Sequence, residues 1–305
     1  MGVTKKIVPH VWVKWKEHTP DEMIFAFDDI LSKDNFLSKL LKNHADIQKC
    51  TEIFRKVMPK LFGFQRLLQQ SSRQYPLISF DQVMSAFDSI QSEPDFDNNM
   101  RLEEDEIKRA FICTHFDEIT DDAHRIKLPE AAELNLVDGL KRSDLFTMIL
   151  IAAKIYIYKY YNCEDTCCSY LYGFLKKYVS TYADTSQSEE QRKSIKCSKR
   201  LNELLYDNLN SIKDIANHIK VLDPDFEGNN VSMGAIQQFF NSVKCHDVEQ
   251  HELEHHLVIT TELVKTSFIN SLMTILNEFK SIKKYDAISQ VEFLEMICRI
   301  AMFGY

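Results

Sequence analysis

The sequence predicts an all-α protein, and three observations carry that expectation. Only 7 of its 305 residues are Gly, against about 7 % in average usage. Few positions can therefore supply the positive φ that hairpins and nucleotide-binding loops require. Long stretches space their apolar residues at helical intervals. Hydrophobic residues make up 45 % of the chain, ample for a core, yet none of their runs reaches the length of a membrane span. The opening MGVTKKIVPHVWVKWKEH lacks the apolar segment of a signal peptide. Cysteines sit among apolar neighbours, as at Cys113, Cys245 and Cys298, which suits buried, reduced thiols of a cytoplasmic protein. A net charge of −8 disfavours nucleic acid as a partner.

Residues 1–20 read as a basic, aromatic arm. Lys5, Lys6, Lys14 and Lys16 stand there with Trp12 and Trp15, the chain's two tryptophans. Such an arm either packs on the body or docks on an acidic partner, its aromatics anchoring and its lysines steering. The partner-binding candidates are Trp12, Lys14, Trp15 and Lys16. Residues 21–60 form a helical segment. It opens at DEMIFAF, with Asp21 and Glu22 where the helix dipole favours acids, and further helical runs cover 34–42 and 46–70. SSRQYP then breaks the pattern around Pro76.

Three internal matches follow in one order. ISFDQVMSAFDSI at 78–90 aligns without gaps to VSMGAIQQFFNSV at 231–243. EIKRAFI at 106–112 aligns to LVKTSFI at 263–269, and LKRSDLFTMILIAA from Leu140 aligns to ISQVEFLEMICRIA from Ile288. The third match sets Asp144 on Glu292, Met148 on Met296 and Ala153 on Ala301. A duplication is the simplest account. The expected divisions are unit 1 over 61–162, a helical linker over 163–210 and unit 2 over 211–305. The linker carries a polar loop at 180–191 and a basic stretch at Lys193, Lys196, Lys199 and Arg200 that reads as a solvated helix face.

Within each copy an apolar β-branched or leucine residue precedes a polar cap and an apolar helix. Ser79 with Gln82, and Ser289 with Glu292, fit capping boxes. In a Ca²⁺-binding helix-loop-helix the eighth loop residue is apolar and pairs with its twin loop, and an acid follows four residues later. Ile288 to Glu292 and Leu140 to Asp144 have that spacing, so paired EF-hand-like units are expected. Most have lost their ligands. Ser281, Lys283 and Tyr285 fall on ligand positions before Ile288, and Ser71, Arg73 and Tyr75 fall on those before Ile78. DPDFEGNN at 223–230 begins well, but its apolar residue Val231 comes one place late and Gly234 stands where the bidentate Glu belongs. The best Ca²⁺ candidate is DFDNNMRLEEDE at 95–106, offering Asp95, Asp97, Asn99, Glu103 and Glu106. Met100 replaces its required Gly.

FICTHFDEITDD at 111–122, followed by LKRSDLFTMILIAAKIYI, resembles a pattern of ciliary and flagellar axonemal proteins. In those proteins a phrase like iFIATN.E precedes L.R.EFLE.LVRIA..KY. The closing SQVEFLEMICRIA is similar to their F.EFLEALARIA ending. The resemblance spans most of 60–305. Asp144 and Leu145 stand here for Glu and Phe, and Ile151 for Arg, while Arg299 retains that Arg in the second copy. The resemblance implies degenerate EF-hand-like repeats in a non-catalytic structural protein of the axoneme, partnered by tubulin of the doublet microtubule or by other axonemal proteins.

Two competing chemistries remain as alternatives. A Ca²⁺-responsive regulator would use loop 95–106. A zinc hydrolase would use HELEH at 251–255, where His251 and His255 share a helix face and Glu252 is the general base. Glu254 and His256 make that segment polar, and no His follows it. CEDTCC at 163–168 offers thiols without a second pair. No Walker loop, nucleophile elbow or CxxC pair occurs. The expectation is a cytoplasmic, cytoskeletal protein with no enzyme activity, no cofactor and no membrane partner.

Overall fold

The computed structural model describes residues 10–34, 44–72, 74–115, 139–162, 168–183, 186–224, 230–244, 259–276 and 282–303. HELEH at 251–255, with His251 and His255, lies outside them, as do most of CEDTCC and residues 225–229. The described residues are predominantly helical, as the glycine-poor sequence predicts. None of their helices is long and apolar enough to cross a membrane. The chain divides into two units, one formed by His18–Asp184 and the other by Met1–Glu17 with Thr185–Tyr305. The expected linker is split by this division, because its helices bury apolar residues in different cores.

In the 18–184 unit, α1 (Pro20–Asp34) begins where Thr19 and Glu22 cap each other. The Glu22 amide donates to Thr19 Oγ1 at 3.2 Å and the Thr19 amide to Glu22 Oε2 at 2.9 Å. Proline at the first helical position has no amide to leave unpaired. The long α2 (His44–Ser71) buries Cys50, Phe54, Val57, Leu61, Phe64 and Leu68, a stripe recurring every three or four residues. Next come α3 (Phe80–Gln91), α4 (Glu104–Cys113) and α5 (Arg142–Tyr161). Between Leu145 and Ala153 every residue of α5 is buried, so this stretch of the helix is enclosed on every side and forms the centre of the core. Phe27, Phe54 and Phe146 join α1, α2 and α5, with centroids 5.9 to 6.3 Å apart. Each such ring contributes about 2 kcal/mol through burial. Then α6 (Cys168–Phe174) runs into a π-helical turn over Leu175–Ser180 that buries Leu175, Tyr178 and Val179. Asn162, at φ +47°, ends α5 in the left-handed region that asparagine tolerates.

The second unit carries α7 (Ser186–Cys197), α8 (Lys199–Asp207), α9 (Leu209–Val221), α10 (Met233–Lys244), α11 (Thr261–Ser271) and α12 (Gln290–Phe303). Two short strands, β1 (Val231–Ser232) and β2 (Ala287–Ile288), pair antiparallel with Val231 opposite Ile288. In the first unit Ile78 and Leu140 make the matching bridge, exchanging backbone bonds of 3.0 and 2.8 Å. All four bridging residues are at most 1 % exposed. They are the apolar positions that the internal repeat aligns, Ile78 with Val231 and Leu140 with Ile288. The helices that follow the first partner of each bridge, α3 and α10, both have 12 residues.

Leu140→Ala should cost about 3 kcal/mol, because it empties a fully buried site beside a backbone bridge. Urea unfolding followed by circular dichroism checks this, and a loss below about 1 kcal/mol would mean that the bridge is not close-packed.

Candidate functional site

The acidic loop is committed to internal bonds. Asp97 accepts the Asn99 amide at 2.9 Å and caps a short turn over Asn98–Met100. Glu103 and Glu106 form a capping box at the start of α4, the Glu103 amide donating to Glu106 Oε2 at 2.7 Å. Lys159 of α5 then places its ammonium 3.1 Å from Glu103 Oε1 and 2.9 Å from Glu106 Oε2, with Arg101 O at 3.3 Å. Burial depresses the Lys159 pKa, but the bonds from Glu106 and Glu103 outweigh it and hold the ammonium above its usual range. A side-chain cation thus stands against the two C-terminal carboxylates of the loop. Asp95, Asp97 and Asn99 are exposed on its other part. Gln91 clamps the middle, accepting the Leu102 amide at 2.7 Å. Among the described residues no group of three His, Cys, Asp or Glu converges as a metal would require.

The acids four residues after the bridges also close helices. Asp144 accepts the Lys141 amide at 3.0 Å. Glu292 accepts the Ser289 amide at 2.7 Å and the Met273 amide at 2.6 Å. The expected box at Ser79 is not formed, since the Ser79 hydroxyl turns to Gln82 Oε1 and caps no backbone amide.

Residues 10–17 of the arm fold onto the second unit, while Lys5 and Lys6 lie outside the described residues. Trp12 is 2 % exposed and shares a cluster with Ile195, Leu205, Val291, Leu294 and Cys298. That corrects one expectation: Trp12 anchors the arm to the chain's own body and offers no outward contact. Its indole N–H donates to Asn202 Oδ1 at 2.5 Å. Trp15 is partly buried, with Lys196 Nζ 3.8 Å and the Arg192 guanidinium 4.9 Å from its ring centroid. Glu17 pairs with Lys196 at 2.9 Å. The Lys196 hydrogen bond, opposed by burial, holds the Glu17 carboxyl below its ordinary value. Lys14 and Lys16 stay exposed, as do Lys193, Lys199 and Arg200. Of the second basic stretch only Lys196 meets the arm, while Lys193 on α7 and Lys199 and Arg200 at the start of α8 form the solvated face that the sequence predicts.

Beneath them lies a buried ion group that sequence reasoning missed. Glu295 and Arg299 of α12 are fully buried, joined at 2.9 Å. Arg192 of α7 reaches the same carboxylate at 2.9 Å. Arg299 also donates to Ser188 O at 2.9 Å and Gln191 Oε1 at 3.2 Å, so α7 is tied to α12. The signal was an acid and an arginine four residues apart in a mostly apolar helix. Asn202 was legible only as a polar residue on the apolar side of α8. In the first copy Thr147 and Ile151 occupy the aligned positions, both buried. Burial pushes the Cys298 thiol up to about 12, making it an inert packing group.

Glu295→Ala should cost about 4 kcal/mol, since it leaves two arginines without their shared carboxylate. Denaturant unfolding measures it, and near-neutrality would deny the pairing. Because Glu17 is depressed when the arm is docked, its stabilisation is present above the undocked value and lost as pH falls through the docked one. Tryptophan emission, which reports only on Trp12 and Trp15, should shift red below about pH 4.3, before far-UV circular dichroism changes. Emission that stays constant until the helices melt would remove Glu17 from the docking. No protein family, no curated protein and no solved structure matches this chain, so its function is argued from its own residues.

Proposed function

We propose that the chain is a non-catalytic structural adaptor of the ciliary or flagellar axoneme, built on two degenerate EF-hand-like units. It contacts doublet microtubules or neighbouring axonemal proteins through the arm face and exposed helix faces. The observation that carries the architectural part is the pair of apolar bridges. Ile78–Leu140 and Val231–Ile288 pair apolar residues of which Ile78, Leu140 and Ile288 have the eighth-position spacing of an EF-hand loop, with Val231 one place late. The acid four residues after each second partner serves as a helix cap. A helix pair held by caps and packing needs no ion to reach its working shape, whereas a sensor needs the ion to open. Permanence suits a scaffold. The axonemal part rests on the resemblance of 111–122, 140–157 and 289–301.

Charge supports the contact. The chain carries −8 overall, yet Lys14 and Lys16 on the arm, Lys193 on α7 and Lys199 and Arg200 at the start of α8 are all exposed, and Trp12, Trp15 and Glu17 bring the arm to both helices. Such a field attracts an acidic surface, as tubulin presents, and aligns it before contact.

Reversing Lys14, Lys16, Lys193, Lys199 and Arg200 to Glu should weaken cosedimentation with microtubules or isolated doublets at least about tenfold and flatten its salt dependence. Undiminished binding would remove this face from the account. A tagged copy that stays out of the axoneme in a flagellated cell would sink the assignment itself. Calorimetric titration with micromolar Ca²⁺ should give no heat, and a saturable signal would favour the regulator.

A further inference from the structure

The arm contacts its body as a ligand contacts a receptor. Its docking cleft is built wholly from residues after 185, while the whole 18–184 unit separates it from the arm in sequence. The cleft has three recognisable subsites. The first is an apolar slot, formed by Ile195 of α7, Leu205 of α8 and Val291, Leu294 and Cys298 of α12, which holds the Trp12 ring. Its floor carries an oriented acceptor. Asn202 Nδ2 donates to Lys196 O at 2.9 Å and to Ser198 O at 2.8 Å, which turns Oδ1 toward the indole N–H. Flipping that amide would break both bonds. A phenylalanine in the slot would leave the buried Oδ1 without a donor, so the slot selects tryptophan.

The second subsite, three residues along the arm, is the pair of cations against the Trp15 ring, Lys196 at 3.8 Å and Arg192 at 4.9 Å. Arg192 is held there by Glu295, so its position does not depend on the arm. The third is the outer side of Lys196, which takes the Glu17 carboxylate at 2.9 Å. Oriented amide, fixed guanidinium and ammonium together read a short segment of the form Trp-x-x-Trp-x-acid.

We infer that this cleft is a binding site for Trp-x-x-Trp-x-acid segments, with residues 12–17 as its resident ligand in cis. A partner segment with that chemistry displaces the arm and takes its place. The inference does not depend on the axonemal assignment, since it uses only the cleft and its occupant.

The test starts from the full chain, so that the cleft forms around its own arm. A protease site is inserted between Glu17 and His18, and the folded protein is cleaved and titrated with a fluorescein-labelled peptide of residues 10–18. The labelled peptide should exchange in saturably. The uncleaved chain should bind it at least about 100-fold more weakly, because a tethered ligand competes at high effective concentration. A Trp12→Phe peptide should bind about tenfold more weakly than the parent. On an Asn202→Ala chain that Trp-over-Phe preference should fall below about threefold, a change that general loosening of the cleft does not produce. Three results would overturn the inference: no entry of the peptide into a cleaved protein that keeps its helical circular dichroism, equal binding by cleaved and uncleaved chains, or equal binding of the Trp and Phe peptides.

Discussion

Two small backbone bridges organise everything else. Ile78 with Leu140, and Val231 with Ile288, each exchange backbone bonds in a dry setting. A buried amide or carbonyl without a partner is costly, so such a bridge fixes the register of the two loops that meet there. Each loop ends in a helix, and the helix starts inherit that register: α3 and α5 in one unit, α10 and α12 in the other. The cores then fill the space that these starts define. In the first unit the buried stretch of α5 takes the middle and α1, α2 and α6 close around it. In the second, the face of α12 is covered by α7, α8 and the arm.

In both units the carboxylates beside the bridges and at the start of α4 are met by protein. Lys159 faces Glu103 and Glu106, backbone amides face Asp144 and Glu292, and Arg192 with Arg299 faces Glu295. An internal cation cannot dissociate as a metal does, so the helix arrangement it stabilises is permanent. The buried pair Glu295–Arg299 carries a large desolvation cost, and it persists because Arg192, Ser188 O and Gln191 complete its bonds. On the proposed axonemal reading, that is the behaviour wanted of a part that must hold its shape without a signal.

The two aligned segments differ where their neighbours differ. At the positions aligned with Glu295 and Arg299, the first copy has Thr147 and Ile151, and Thr147 turns its hydroxyl back to Ser143 O at 3.1 Å. That bond satisfies the hydroxyl within its own helix, and Ile151 fills the other position with apolar surface. The second copy needs the carboxylate because α7 brings Arg192 to it, and α7 in turn presents the seat for the arm.

Helical class, the internal repeat and the four bridging residues were all determined by local pattern, because glycine scarcity, apolar spacing and cap chemistry act over a few residues. The acids at 144 and 292 were legible for the same reason, although their use as caps rather than ligands depended on which amides lay in reach. Only the tertiary structure decided where the arm goes, which lysine meets Trp15 and what Trp12 is for. Those outcomes rest on Asn202, Arg192 and Glu295 meeting residues up to 190 positions away in sequence, and no periodicity records so distant a contact. The unit boundaries were decided the same way, since the segment at 163–210 divides according to which core can bury Leu171 or Ile195, and burial is a property of the folded whole.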